Sequence, residues 1–238
     1  MKADHAPLRE DEFVAALRAI GGRAYHHRHP FHERMNAGLL DADAVRGWVA
    51  NRFCYQTAIP RKDAAILSNC PLWEVRRGWL HRITDHDGTA PGEGGIEAWL
   101  RLGQACGLTR EEMLDERHVL PGVRFAVEAY VTFTKEKPWP VAVASSLTEL
   151  FAPDLMATRL QAFETHYTWI APEGLQYFRN RLTQAPRDSG EGLALTVQHC
   201  HTRDLQEQAL AALSFKCDVL WAMLDAIEHR HGKEAAAR

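Results

Sequence analysis

The residues that could do chemistry in this sequence are cations and amides set at helical intervals among apolar side chains. Lys216 lies within a row of apolar residues that recur every three or four positions. Arg52 and Gln56 stand four residues apart, so on a helix their side chains lie on the same side. An arginine and an amide on a buried stripe are suited to binding a carboxylate. The alternative is a structural arginine that pairs with an acid on a neighbouring helix.

Two further pairs of polar residues repeat this spacing. Arg82 and His86 form one pair, and Tyr177 and Arg181 form the other. A charged group on a buried stripe is costly unless it is paired or lines a cavity. Three such pairs on different helices, together with Lys216, predict a shared cavity that is rich in positive charge. The predicted ligand is a compound with several carboxylates. A nucleotide is disfavoured, because the chain has neither of the phosphate-binding motifs GxGxxG and GxxxxGK[ST].

The 13 histidines raise the question of a metal site. They are concentrated around residues 26–32 and 81–86. A di-iron bundle would need several carboxylates on the apolar stripes of its helices, and here Glu128 and Glu149 are the best candidates. We therefore predict no metal, and for any single histidine the simpler interpretation is a hydrogen-bonded structural imidazole.

The composition is that of an ordinary globular protein. The chain has 238 residues, of which 46% are hydrophobic and 25% are charged, and its formal net charge is −3. This balance gives no general attraction to nucleic acid. No apolar run is long enough to cross a bilayer, and the charged start lacks the apolar stretch of a secretory signal. Five cysteines without a CxxC pair predict reduced thiols and a cytoplasmic location.

Helical periodicity dominates the chain, and clear strand alternation is absent. Residues 128–134 are rich in β-branched and aromatic side chains, but they continue a helical pattern and are predicted helical. Pro60 is expected to end or kink its helix. We predict one all-α domain over residues 1–238, a bundle of about seven helices whose tail, residues 228–238, frays. The predicted helical segments are 11–20, 43–57, 72–85, 94–107, 109–116, 123–135, 140–151, 154–165, 172–185, 190–202 and 203–231.

Seven segments, taken in order, carry a recognisable pattern: 26–32, 47–60, 85–88 with 94–99, 120–130, 145–153, 177–181 and 215–221. They resemble the pyrroloquinoline-quinone synthase C family, and the resemblance runs from about Phe13 to Ala226. It implies a compact haem-oxygenase-like bundle without haem, usually a homodimer. It also implies an oxidase that needs no metal or organic cofactor. Such an enzyme closes a ring in a tricarboxylic quinone precursor and removes eight electrons, with dioxygen as acceptor and hydrogen peroxide as by-product.

The resemblance also implies roles for individual residues. His86 corresponds to the general acid or base, and Tyr177 and Arg181 correspond to the groups beside the dioxygen site. The residues with expected catalytic roles are His86, Tyr177, Arg181, Lys216 and Glu149. Those expected to bind substrate are Tyr25, His26, Arg52, Gln56, Arg82, Tyr130, Thr148 and Arg159.

One position departs from the family pattern. Relatives often have histidine where this chain has Met156. Methionine can neither donate that hydrogen bond nor shuttle a proton, which puts the late oxidation steps in doubt. Two alternatives stay open: a binding or carrier module for the quinone, and a related metal-dependent helical-bundle oxidase.

Overall fold

The computed structural model describes residues 6–232, except for the side chains of residues 152–154. Within that part of the chain the secondary structure is helical, with no β-strand. Short 3-10 segments occur at His26–Arg28, Ser145–Phe151 and Pro172–Leu175. The α-helices are α1 Glu10–Ala24, α2 Pro30–Asn36, α3 Ala42–Asn69, α4 Trp73–Trp79, α5 His81–Asp87, α6 Gly94–Ala105, α7 Arg110–Leu114, α8 Pro121–Glu136, α9 Trp139–Ala144, α10 Ala152–His166, α11 Gln176–His199 and α12 Arg203–His231.

The longest helices begin where the sequence supplies a capping side chain. The Asp41 carboxylate accepts a hydrogen bond from the Ala44 amide, 2.7 Å away, at the start of α3. The Thr202 side chain does the same for the Leu205 amide at the start of α12. Helix α8 contains residues 128–134, so the prediction that this β-rich stretch is helical is confirmed.

Prolines do not divide the chain where the sequence suggested. Of the two outcomes expected at Pro60, an end or a kink, the end is wrong, because α3 continues to Asn69. Likewise, Pro186 lies inside α11, where two helices were predicted. In both cases the second half of the helix buries side chains against neighbouring helices, including Ile66 in α3 and Thr196 in α11. That packing outweighs the local cost of a missing amide hydrogen.

Other predicted segments are shorter in the structure. Residues 72–85 form two helices, α4 and α5, and residues 140–151 form α9 followed by a 3-10 segment. Each of these two predicted segments therefore corresponds to two shorter elements.

Helix α3 lies at the centre of the bundle. It packs against α5, α6, α8, α9 and α12. Around it, the rings of Trp48, Trp99, Phe163 and Phe178 contact one another with centroids 5.3 to 6.5 Å apart. This aromatic core fixes the positions of α3, α6, α10 and α11, which carry or flank most of the predicted site residues.

The C-terminal helix ends at His231, the bound predicted for it. The fraying expected from residue 228 stays a prediction. An ion pair at 2.6 Å between Arg34 and Glu228 holds its last turn against α2. Residues 233–238 lie outside the described part of the chain.

Two further features concern membrane-spanning helices and disulfide bonds. No helix among residues 6–232 combines the length and the apolar character that a bilayer crossing requires. All five cysteines are unpaired and buried.

Candidate active site

Three cations from different helices form the core of the candidate site. Arg52 comes from α3, Arg159 from α10 and Lys216 from α12. Lys216 is 1% exposed and Arg159 is 2% exposed, while Arg52 is partly buried. Within residues 6–232 none of the three forms an ion pair with a carboxylate. Nε and Nη2 of Arg159 have no hydrogen-bond partner at all in that part of the chain.

Aromatic rings take the place of the missing carboxylates. The ammonium of Lys216 donates to Oη of Tyr55 at 2.6 Å and lies 3.6 Å from the ring centroid of Tyr130. The guanidinium carbon of Arg52 lies 3.9 Å from the ring centroid of Tyr55. That of Arg159 lies 5.0 Å from the Trp48 ring. Ring faces attract cations but do not neutralise them. Within residues 6–232, no carboxylate therefore balances the cluster by an ion pair.

The pKa values of the cluster reflect this excess of positive charge. Burial, followed by the nearby Arg52, lowers the pKa of Lys216 well below its ordinary value. The same two causes lower the pKa of Arg159 to about 9. Because both shifts arise from desolvation and like charge, an anion bound among these groups would reverse them.

Arg82 and Arg181 belong to a second cluster, which is ion-paired. Arg82 contacts Glu149, and its Nε lies 3.7 Å from Asp63. Arg181 lies 3.1 Å from Asp188 and 3.5 Å from Glu149. The prediction that Arg82 joins the free cations of the cavity needs correction, since carboxylates from other parts of the chain already surround its guanidinium.

Lys62 connects the two clusters. It is buried on α3, and its ammonium lies 2.8 Å from Oγ of Ser146 and 2.7 Å from Asp63. Both Lys62 and Glu149 act electrostatically on Lys216. Sequence reasoning missed Lys62 and Asp63 because the helix was expected to break at Pro60. A continuous helix would have placed both residues on its buried side.

His86 donates a hydrogen bond through Nδ1, which leaves Nε2 as an acceptor. Its Nδ1 lies 3.1 Å from the backbone carbonyl oxygen of Arg82, which can only accept, so Nδ1 carries the hydrogen. Burial, followed by the charge of Arg181, lowers the pKa of His86 to about 4. The ring is therefore neutral at neutral pH, with Nε2 free to accept a proton.

Tyr177 and Gln56 form a buried pair beside this histidine. Oη of Tyr177 donates to Oε1 of Gln56 at 3.0 Å. The amide nitrogen of Gln56 is buried without a partner in the described residues. The amide oxygen of Gln56 is thus used in a contact between α3 and α11. The amide nitrogen remains available to a ligand.

The remaining predicted residues surround the cationic cluster. Tyr25 packs edge-on against His26 with centroids 4.4 Å apart, and burial raises its pKa. Oη of Tyr130 accepts a hydrogen bond of 3.5 Å from Ser145. Thr148 is buried in the 3-10 segment before α10, and Met156 is buried on α10. Of the predicted site residues, all but Arg52 and Glu149 are buried.

A small cavity of about 10 Å³, room for one water molecule, lies against this cluster. His26, His32 and Arg52 form its polar wall. The rest of its wall is apolar and comes from Trp48 and from Leu220, Met223, Leu224 and Ile227 of α12. Arg52 lines this small cavity, whereas Arg82 and Lys216 do not, so the shared ligand cavity inferred from the sequence stays a prediction.

One group of donors has spacing suited to a metal. Ligand atoms of His81, Asp85 and Asp188 lie within 4.8 Å of one another. However, Asp188 already contacts Arg181 and Arg187, whose charges oppose a divalent cation. The other carboxylate predicted on an apolar stripe is not there: Glu128 is exposed and pairs with Arg61 at 2.8 Å.

Comparison with known proteins gives two kinds of match. The sequence model of the TENA/THI-4/PQQC family matches residues 14–226. A relative from Cronobacter sakazakii, named pyrroloquinoline-quinone synthase, is 57% identical over 92% of this chain and 87% of its own length. A relative of the same name from Pseudomonas aeruginosa is 57% identical over 93% of this chain and 88% of its own.

Solved structures with low sequence identity share the fold. A TenA homologue from Pseudomonas syringae superposes with a TM-score of 0.73 at 14% identity, over 96% of each chain. A Shewanella denitrificans domain described as having a heme oxygenase-like fold gives a TM-score of 0.71 at 12% identity, over 94% of this chain and 91% of its own. The predicted all-α, haem-oxygenase-like architecture is confirmed.

Proposed function

The chain belongs to the TENA/THI-4/PQQC family, and from that membership we propose that it catalyses the last step of pyrroloquinoline quinone biosynthesis. Relatives more than half identical over nearly the whole chain are named pyrroloquinoline-quinone synthase, so it is an enzyme of this biosynthesis. The proposed reaction closes a ring in a tricarboxylic precursor and removes eight electrons. Dioxygen is the acceptor, hydrogen peroxide is the by-product, and no metal or organic cofactor takes part.

The observation that supports this proposal most strongly is a set of two buried cations and one partly buried cation that have no carboxylate partner within residues 6–232. Arg52, Arg159 and Lys216 are held by aromatic rings, at a cost in desolvation that nothing in the described residues offsets. A ligand with three carboxylates would supply the missing charge. Its binding would place an electron-rich ring system in a water-poor site between α3, α10 and α12.

Proton removal is assigned to His86. Oxidation of the reduced precursor must release protons from carbon and nitrogen as electrons leave. A neutral imidazole with Nε2 free can accept a proton, and its Nδ1–H is anchored on the carbonyl of Arg82. The negative charge of a bound substrate would raise the low pKa of this histidine toward the working range.

Charge on reduced oxygen is assigned to Arg181, beside Tyr177. Arg181 is buried and shares Glu149 and Asp188 with Arg82, which fixes its orientation. A fixed guanidinium stabilises developing negative charge without having to reorganise. Met156 offers no proton at its position on α10, so Tyr177 and His86 must supply the protons.

The decisive experiment measures oxygen consumption by the protein with the reduced precursor after exhaustive chelator treatment. We expect dioxygen uptake, peroxide release and the quinone absorption spectrum, with all three abolished or strongly slowed in His86→Ala. Activity lost on chelation and restored by iron would contradict the metal-free reaction and favour a metal-dependent oxidase. Stoichiometric binding of the quinone without any oxygen uptake would instead favour a carrier.

We also propose a domain organisation, an oligomeric state and a cellular location for the protein. We expect one domain over residues 1–238, assembly as a homodimer and a cytoplasmic location. Sedimentation of the purified protein tests the second, and cell fractionation tests the third.

A further inference from the structure

Two buried histidine rings contact each other at the edge of the cationic cluster. Nδ1 of His26 lies 3.1 Å from Nδ1 of His32. The same nitrogen of His32 lies 3.1 Å from the backbone carbonyl oxygen of His26. His32 is 2% exposed, and its Nε2 has no hydrogen-bond partner in the described residues. The proposed mechanism gives His32 no role.

The position of each proton follows from these contacts. A carbonyl oxygen only accepts hydrogen bonds, so the His32 nitrogen that faces it must carry the hydrogen. With a lone pair there instead, two acceptors would face each other at hydrogen-bond distance. The hydrogen on Nδ1 of His32 is then shared with Nδ1 of His26, which must be the unprotonated acceptor.

The two rings are also neutral. Burial, together with the charges of Arg52 and Arg159, lowers the pKa of both imidazoles well below the ordinary value. A neutral imidazole carries one hydrogen. His26 therefore carries its hydrogen on Nε2, and His32 keeps a lone pair on Nε2.

We propose that His32 is a positioning residue that fixes His26 as a hydrogen-bond donor toward the bound anion. Both rings line the cavity beside Arg52. Within residues 6–232, Nε2 of His26 has no partner, so its hydrogen is available to a ligand. A donor there complements a carboxylate or quinone oxygen, whereas the other tautomer would present a lone pair to it. The inference rests on the proposed function, which counts His26 among the substrate contacts.

The proton positions can be tested without any substrate. Nitrogen-15 NMR of histidine-labelled protein distinguishes a protonated ring nitrogen from one with a lone pair. Signals are assigned by their loss in His26→Asn and His32→Asn. We expect lone pairs at Nδ1 of His26 and Nε2 of His32 at neutral pH. Hydrogen on Nδ1 of His26, or an imidazolium at either position, would overturn the inference and leave the proposed oxidase reaction untouched.

The functional consequence is tested with two variants of similar folding risk. His32→Asn keeps an N–H near the position of Nδ1, whereas His32→Leu removes it. We expect His32→Leu to weaken the affinity for pyrroloquinoline quinone about tenfold, the loss of one hydrogen bond to a charged group. KM for the precursor should rise in parallel, with a smaller change in kcat. His32→Asn should stay within about threefold of the parent on the same scale.

Two other outcomes would overturn the positioning role of His32, and a third would contradict only the oxidase reaction. Equal weakening by both variants would show that His32 acts by packing alone and would overturn the positioning role. An unchanged affinity in a folded His32→Leu would do the same. A parent protein that binds the quinone with the expected proton positions but never consumes oxygen would contradict the oxidase, not the role of His32.

Discussion

At the scale of single residues, the site is defined by charge that the protein itself does not balance. Lys216 and Arg159 lie in the interior with aromatic faces as neighbours. Arg82 and Arg181, a short distance away, are matched by Glu149 and by other carboxylates. The protein thus combines a rigid, neutralised cluster with one that needs a ligand. The two should respond to mutation in opposite ways.

Binding of the quinone should be accompanied by proton uptake at Lys216. The pKa of this lysine is held down by burial and by Arg52, and a bound carboxylate would raise it. At a pH where Lys216 is neutral in the free protein, we expect up to about one proton taken up per ligand, so affinity falls as pH rises. The measurement is the binding enthalpy in buffers of different ionisation enthalpy.

Lys216→Met provides the comparison, because it removes the titrating group and retains the apolar part of the side chain. Uptake that persists unchanged in this variant would assign the proton to another group, with His86 the first to examine.

Replacing Arg159 with methionine should stabilise the free protein and weaken ligand binding. Removing a buried, unpaired charge that is repelled by Arg52 should raise the free energy of unfolding by about 1–3 kcal/mol. The same change should lower the affinity for the quinone by about a hundredfold or more, as for the loss of a charged contact. Chemical denaturation and equilibrium binding measure the two effects.

The matched control is Arg61→Met. Arg61 pairs with Glu128 on the surface, and such a pair contributes less than about 1 kcal/mol. A loss of stability in Arg159→Met larger than in Arg61→Met would mean that the buried guanidinium is structurally balanced after all.

At the scale of elements, the sequence predicted helices well where one apolar stripe continued between recognisable caps. Helix α12 matches the predicted bounds because its apolar stripe continues on both sides of Lys216 and Thr202 caps it. Helix α3 was cut short at Pro60, since a local rule cannot weigh the burial gained by the residues that follow. Because of this error two residues of the site were not predicted, since Lys62 and Asp63 lie beyond that proline.

Partners of the site residues were harder to predict than the residues themselves. The helical spacing correctly indicated that Arg82, Arg181 and Lys216 are buried. It could not show that Asp188 meets Arg181, because residue 188 fell between two predicted helices. Both residues lie on α11, seven positions apart, and only a helix that continues through Pro186 places them on the same side.

The contact between α1 and the 3-10 segment before α10 gives a sharp test of packing at this scale. A Cβ atom added at Gly21 would overlap the ring of Phe151, which also packs on Tyr25 at 5.4 Å. We expect Gly21→Ala to lower the free energy of unfolding by about 1–3 kcal/mol as Phe151 is displaced. Thermal or chemical denaturation measures the change.

Gly22 is the neighbouring control, since a Cβ atom there meets nothing within 4 Å. Gly22→Ala should raise the free energy of unfolding by about 0.5–1 kcal/mol through helix propensity. Equal effects at the two positions would contradict the described packing of Phe151.

At the scale of the whole molecule, buried neutral histidines make stability depend on pH. The pKa of His86 falls from 6.5 to about 4 on folding. A depressed pKa in the folded state gives stability that is complete above the unfolded value and is lost as pH falls toward the folded one. We expect the free energy of unfolding to decrease between about pH 6.5 and 4, with His86 contributing about 3 kcal/mol.

Denaturant titrations across this pH range measure how steeply the free energy of unfolding changes with pH. His86→Asn should flatten it, whereas His201→Asn, at an exposed position, should leave it unchanged. A slope that is identical in the parent and in His86→Asn would show that this histidine is not buried in its neutral form.

The burial of the five unpaired thiols matters because the proposed reaction releases peroxide. Burial raises the pKa of Cys54, Cys200 and Cys217 to about 11 and that of Cys106 to about 12, and it also raises that of Cys70. Peroxide attacks the thiolate rather than the thiol. An oxidase of this composition would therefore withstand its own by-product over many turnovers, and mass spectrometry of the spent enzyme should find its cysteines free of sulfenic and sulfinic acids.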